Sequence, residues 1–188
     1  MYSLHPEQDY VFEIAKKKSI DLRIIYHTKP TISCEEKLSL LKEENPEFLE
    51  WDITQIVKAL YFCKNDDPYV GVITPEFKKL VSPKDIFPSI LGISKGKAER
   101  YWINPKKVPR GMCWGTCTPF PLESSILEKE ISDIIFLDYK DLRNKTVNIS
   151  VGGETKEAFK TSIHIPYISI YEILREKFGS VIHCFEVK

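Results

Sequence analysis

Residues 56–63 read Ile-Val-Lys-Ala-Leu-Tyr-Phe-Cys, a β-branched and aromatic run typical of a strand. Side chains alternate along a strand, so Ile56, Lys58, Leu60 and Phe62 share one face and Val57, Ala59, Tyr61 and Cys63 the other. Both faces are apolar, and neither is plainly wet. A lysine on such a face is costly to bury unless its ammonium reaches a partner, a ligand or water. Two orientations follow. Lys58 either points inward and is functional, or it lies on a solvent side and snorkels outward. The inward orientation makes Lys58 a functional candidate.

A second feature is the loop Gly111-Met-Cys-Trp-Gly-Thr-Cys-Thr-Pro-Phe120. Glycine reaches backbone conformations closed to other residues and lets a ligand approach closely. Pro119 fixes its own φ and restricts Thr118 before it. Such a loop can turn its N–H and C=O groups toward a small polar substrate. It can equally be an ordinary tight connection, because glycine and proline mark turns in any protein.

The rest of the chain alternates helix and strand signals. Pro6 opens a helix that runs to about Lys18, with Val11, Ile14 and Ala15 on one face. Leu22–His27 is a short strand. Ser33 and Glu36 form a capping box ahead of Leu38, Leu40 and Leu41. Strands over 53–63 and 69–74 are joined by the turn-rich Asn65-Asp-Asp-Pro68. Ser82-Pro83 opens a helix toward Gly92, with Pro88 straining its interior. Ile134–Leu137, Thr146–Val151, Thr161–Ile165 and Val181–Val187 are further strands, and Ile168–Phe178 is a helix stopped by Gly179. Strand pairs joined by short links favour an antiparallel or mixed sheet over a doubly wound one.

Several pieces, in this order, resemble one family. They are the opening helix and strand over 11–27, Thr31-Ile-Ser-Cys-Glu-Glu36, Val57-Lys58-Ala59-Leu60, the Gly111–Phe120 loop, Ile135-Phe-Leu-Asp138 and Val151-Gly-Gly153. Together they resemble the YbaK-like aminoacyl-tRNA deacylases, which are related to the editing domain of bacterial prolyl-tRNA synthetases. The resemblance spans nearly the whole chain. It implies a single domain over residues 1–188 of the α+β class, with a mixed, mainly antiparallel sheet or partial barrel flanked by helices. It also implies trans-editing: hydrolysis of the ester that joins a small wrong amino acid, such as alanine, serine, cysteine or proline, to tRNA. A methylene difference gives a synthetase only about 1–3 kcal/mol of discrimination, which is why such editing exists. An aminoacyl ester is already activated, so its hydrolysis needs positioning and charge stabilisation more than an elaborate nucleophile.

In this reading Lys58 is catalytic, and the substrate contacts come from His27, Thr31, Gly115, Thr116, Cys117, Thr118, Pro119 and, on the strand after the Gly-Gly turn, Ser162 or His164. The Gly115–Pro119 backbone would grip the aminoacyl group and its ammonium. Ser33 could line the same mouth, and Asp138 would orient backbone. Trp102, Trp114 and Phe120 would stack on terminal bases or simply pack. Ala59, where the family often has Thr or Ser, and the polar Thr116-Cys-Thr118 depart from the pattern and leave the edited amino acid open.

Other chemistries find little support in the residues. There is no His-Glu-x-x-His motif. Cys113 and Cys117 stand four apart with no second pair, which argues against zinc. No metal or cofactor is expected. The five cysteines do not suggest a disulfide framework, and the N-terminus lacks a signal-peptide pattern. With no apolar stretch near the roughly 18 residues of a span, a cytoplasmic protein without a membrane partner is expected. Net charge is zero, but it is unevenly spread. Residues 35–52 are acidic, whereas 78–110 carry Lys78, Lys79, Lys84, Lys95, Lys97, Arg100, Lys106, Lys107 and Arg110. That stretch is either a solvated surface or an approach for RNA phosphates. The expected partners are a mischarged aminoacyl-tRNA and, where the domain works beside one, an aminoacyl-tRNA synthetase. The alternatives are a noncatalytic module that binds a tRNA end or aminoacyl group on the same fold, and a small-molecule binder with no RNA partner.

Overall fold

A computed structural model describes residues 4–76 and 82–187. Among the described residues, eight strands form two sheets. The first sheet is antiparallel, in the order β1 (Arg23–Tyr26), β7 (Thr161–Pro166), β6 (Thr146–Ser150). The second is mixed, in the order β4 (Trp102–Ile103), β2 (Val57–Cys63), β3 (Tyr69–Pro75), β5 (Ile131–Asp138), β8 (Ile182–Glu186). Its β4–β2 and β2–β3 pairs are antiparallel, and β3–β5 and β5–β8 are parallel. A bridge between Ile56 and Asn148 ties the start of β2 to β6, so the two sheets meet at one edge as in a partly closed barrel. The α+β class, with mainly antiparallel strands flanked by helices, is the one the sequence implies.

The β2–β3 hairpin turns at Asn65, whose φ of 55° suits asparagine better than most side chains. The strand expected over 53–63 begins only at Val57. Residues Ile53–Gln55 form a 3-10 turn instead, because Asp52 caps it and Gln55 reaches back to the Asp52 backbone. Ser33 and Glu36 do form a capping box, and it opens α2 (Cys34–Glu44). The first helix splits into a 3-10 turn at Pro6–Gln8 and α1 (Tyr10–Lys17).

Helices cover both faces of the second sheet. On one side α1 and α6 (Tyr167–Phe178) bury Tyr10, Val11, Ile14, Ile170, Ile173 and Leu174 against Val57, Ala59 and Tyr61 of β2. On the other, α3 (Pro83–Leu91) and α4 (Lys95–Ala98) pack Ile86, Phe87 and Ala98 onto Phe62, Val70 and Val72. This explains the run with two apolar faces: β2 lies between two layers. Burial of Ile86 and Phe87 also holds α3 through Pro88, where one backbone donor is missing. Gly92, at φ 64°, then ends the helix. A third cluster, Leu41, Phe48 and Ile56, seats α2 against the start of β2. Among the described residues, no helix is long and apolar enough to cross a membrane.

Candidate functional site

A cavity of about 370 Å³ opens where the two sheets, the start of α2 and the glycine loop converge. Its size falls in the range typical of small-ligand sites. Residues 31–35 and Lys37 form one wall, Ile56–Leu60 and Glu76 a second, Trp114, Gly115 and Cys117 a third, and Asn148 and Ser150 of β6 a fourth. The exposed side chains of Ile32 and Trp114 stand on its wall.

Lys58 is on the wall, half-buried, with its Nζ in an ion pair with the Glu76 carboxylate. The inward orientation is therefore the one adopted. The two residues come from paired strands, since Lys58 lies opposite Thr74 and Glu76 follows the end of β3. Cys34, the first residue of α2, shares this corner. Burial first and Glu76 second push its thiol up to about 12. Burial does the same for Cys117, also to about 12. Neither thiol is a ready thiolate at neutral pH. Lys37, one turn into α2, is brought down to about 8 by burial and forms no ion pair among the described residues.

The glycine loop is only partly a cavity wall. Gly115 has φ 98°, and a Cβ there would lie 3.0 Å from the Phe159 ring, so this position requires glycine. Thr116 is buried, and its hydroxyl donates to the Gly153 carbonyl at 2.6 Å. The Gly153 N–H in turn donates to the Gly111 carbonyl at 2.6 Å. The glycine loop and the Gly-Gly turn, 40 residues apart in sequence, are thus stitched together. Thr118 and Pro119 are buried and lie off the cavity. The Thr118 carbonyl already accepts from the Tyr61 hydroxyl at 2.8 Å, and its own hydroxyl accepts from the Phe120 N–H. The expected grip by the whole Gly115–Pro119 backbone is therefore corrected: of these residues, Gly115 and Cys117 line the cavity and Thr116, Thr118 and Pro119 do not. Phe120 is fully buried and cannot stack on a base, whereas Trp102 and Trp114 are exposed. Asp138 is buried in an ion pair with Arg143, away from the cavity.

His27, Ser162 and His164 also lie off the cavity wall, while Thr31 is on it. The three do meet, in a buried network on the face of the first sheet that α2 covers. Glu44 Oε2 lies 2.9 Å from His27 Nδ1, and His27 Nε2 lies 2.8 Å from Ser162 Oγ. Asn148 Nδ2 is 2.7 Å from Ser162 Oγ and 2.9 Å from His164 Nε2. Antiparallel register explains the meeting, since Ser162 lies opposite Ser150 and His164 opposite Asn148 on one sheet face. Burial raises the Glu44 carboxyl, but hydrogen bonds from Thr28 and His27 outweigh it and hold it below its ordinary value. Burial, with the nearby Lys37 charge, holds His27 below its ordinary value. Burial and the charges of Arg23, His27 and Lys37 take His164 down to about 3. Its ring packs edge-on to Phe48, centroids 4.9 Å apart, and tilted against Trp51.

Glu76, Lys37, Cys34 and Asn148 were not legible as site residues. Glu76 carries no motif, and Lys37 sits in an ordinary charged helix pattern. Asn148 offered the best signal, a polar side chain amid the apolar Val147-Asn-Ile149 of a strand.

No family profile and no curated protein matches the chain. Among solved structures, the crystal structure of hypothetical protein APE2540 is similar. It superposes with a TM-score of 0.58 at 19% identity, over 94% of this chain and 97% of that one. At that identity the likeness speaks to the fold alone.

Proposed function

We propose that this chain is a YbaK-like trans-editing deacylase that hydrolyses the ester of a mischarged aminoacyl-tRNA in the cytoplasm. One observation carries the reading: the Lys58 amine and the Gly115 turn wall the same 370 Å³ cavity. Glu76 holds the amine in place. There it can stabilise the oxyanion that develops as water attacks the ester carbonyl. The water oxygen bonds to the carbonyl carbon, the ester C–O bond breaks, and the water's proton ends on the ribose hydroxyl. Gly115 presents backbone without a side chain, and Trp114 offers a ring face to the terminal base.

The basic segment supports an RNA partner. Lys95, Lys97 and Arg100 are exposed just ahead of β4, whose Ile103 is on the cavity wall. Arg110 and Lys107 are engaged with carboxylates, and Lys78 and Lys79 lie outside the described residues.

The test is Lys58→Ala assayed on tRNAs carrying alanine, serine, cysteine or proline. Loss of deacylation by a folded variant is expected, and unchanged hydrolysis would remove Lys58 from the mechanism. A second reading, a noncatalytic tRNA-end or aminoacyl-binding module, is favoured by the Glu76 carboxylate, which already compensates the Lys58 charge. Salt-sensitive tRNA binding without turnover would select it.

A further inference from the structure

The polarity of the buried network can be read from its carboxylate end. Glu44 is ionised and only accepts, so His27 Nδ1 carries the proton that meets it. His27 is neutral above its lowered pKa, so its Nε2 is an acceptor. Ser162 must then donate to Nε2, which leaves its oxygen to accept from Asn148. The Asn148 Nδ2 group therefore points into the network, one hydrogen to Ser162 Oγ and the other to His164 Nε2. His164, neutral, keeps its own proton on Nδ1, and that N–H is the buried side-chain polar atom left without a partner among the described residues. An unmade bond of this kind costs about 1–3 kcal/mol. The network bears that cost with both Asn148 hydrogens facing inward.

The other end of the amide is then determined. Asn148 is on the cavity wall, its Oδ1 takes no hydrogen bond among the described residues, and it is not among their buried unpartnered atoms. The oxygen therefore opens to the cavity. We propose that Asn148 Oδ1 is a fixed acceptor for a hydrogen-bond donor on the aminoacyl–ribose end of the ligand, and that Glu44, His27 and Ser162 are positioning residues that stop the amide from turning over. This rests on the deacylase reading and assigns the donor-recognition role that the buried Thr118 and Pro119 do not fill. Two groups of such a ligand supply the donor, the α-ammonium and the vicinal ribose hydroxyl.

The experiment uses a non-hydrolysable probe, 3′-alanylamido-3′-deoxyadenosine, with one analogue lacking the α-amine and another lacking the 2′-hydroxyl. Binding is measured calorimetrically to the wild type, Ser162→Ala and Ser162→Thr. Ser162 lies off the cavity, so Ser162→Ala leaves the cavity wall unchanged and removes only the link that holds the amide. The wild type should prefer the full probe over one analogue by about tenfold, the value of a single well-made hydrogen bond. That analogue identifies the donor. Ser162→Ala should cut the preference to about threefold or less by letting the amide turn, and Ser162→Thr, which keeps the hydroxyl, should restore it. A folded Ser162→Ala protein with undiminished preference overturns the proposal. So does a wild type that binds the probe and both analogues equally, which leaves the deacylase reading standing. A wild type that binds none of the three removes the deacylase reading and this proposal together.

Discussion

On the five-stranded sheet the cavity wall carries charge in direct contact, Lys58 against Glu76. On the three-stranded sheet the wall carries no formal charge at all: Asn148 faces the cavity, backed by neutral His164, Ser162 and neutral His27. The only ionised group in that chain, Glu44, sits at its far end. The first wall can stabilise charge that develops in a reaction, because an ion pair can redistribute toward a new oxyanion. The second cannot, but it can hold a dipole at a set angle, which suits recognition. Burial enforces the division. It strips charge from the two histidines, whereas Lys58 and Glu76 face each other as an ion pair.

The largest effect expected from breaking this comparison is on turnover. Lys58→Ala should lower deacylation at least about a hundredfold, about 2.7 kcal/mol of transition-state stabilisation, while Ser162→Ala should change specificity far more than maximal rate. Single-turnover assays on both variants read the difference, and equal losses in the two would erase the distinction between the walls. Next comes the loop that faces both. Gly115→Ala forces a Cβ toward Phe159 at a φ of 98°, and should cost about 1–2 kcal/mol in urea melts. A neutral result would mean that the turn relaxes, and the shape of the third wall would not be set by glycine.

The neutral wall makes a pH prediction. Folded His164 takes its proton near 3, and the unfolded residue near 6.5. Between those limits the unfolded chain binds more protons, so this contribution is complete above 6.5 and is lost as pH falls. While only the unfolded state is protonated, the loss is about 1.4 kcal/mol per pH unit, and His27 acts in the same direction. Urea midpoints at neutral and mildly acidic pH should diverge for the wild type, and the gap should narrow in His164→Phe. Parallel slopes would show that His164 is charged in the folded protein. The smallest effect concerns Lys37, which borders both walls. Its ammonium should titrate near 8 in lysine-selective NMR, well below exposed lysines, with no change of fold. A titration in the ordinary lysine range would place it in open water.

Much of the fold was readable because its signals are local. The capping box at Ser33, the Asn65 turn and the two apolar faces of residues 56–63 each depend on neighbours a few positions away. Residues 53–55 misled for the same reason: a β-branched start looked continuous with β2 until Asp52 and Gln55 capped it as a 3-10 turn. Of the cavity wall, Lys58 was legible from its place on an apolar strand and Gly115 from its glycine-rich turn, while Thr31 and Cys117 were reached through the motifs around them.

What the chain by itself determined is which segments become strands and helices, and that Lys58 could not be left unpartnered on β2, since alternation and desolvation act on each residue whatever lies far away. The tertiary structure alone decided who the partners are. Glu76 reached Lys58 through hairpin register, and Asn148 gained its orientation from Glu44, more than a hundred residues earlier, through His27 and Ser162. A hydrogen-bond chain has a direction only once every member is in place, and no member announces it in the linear order.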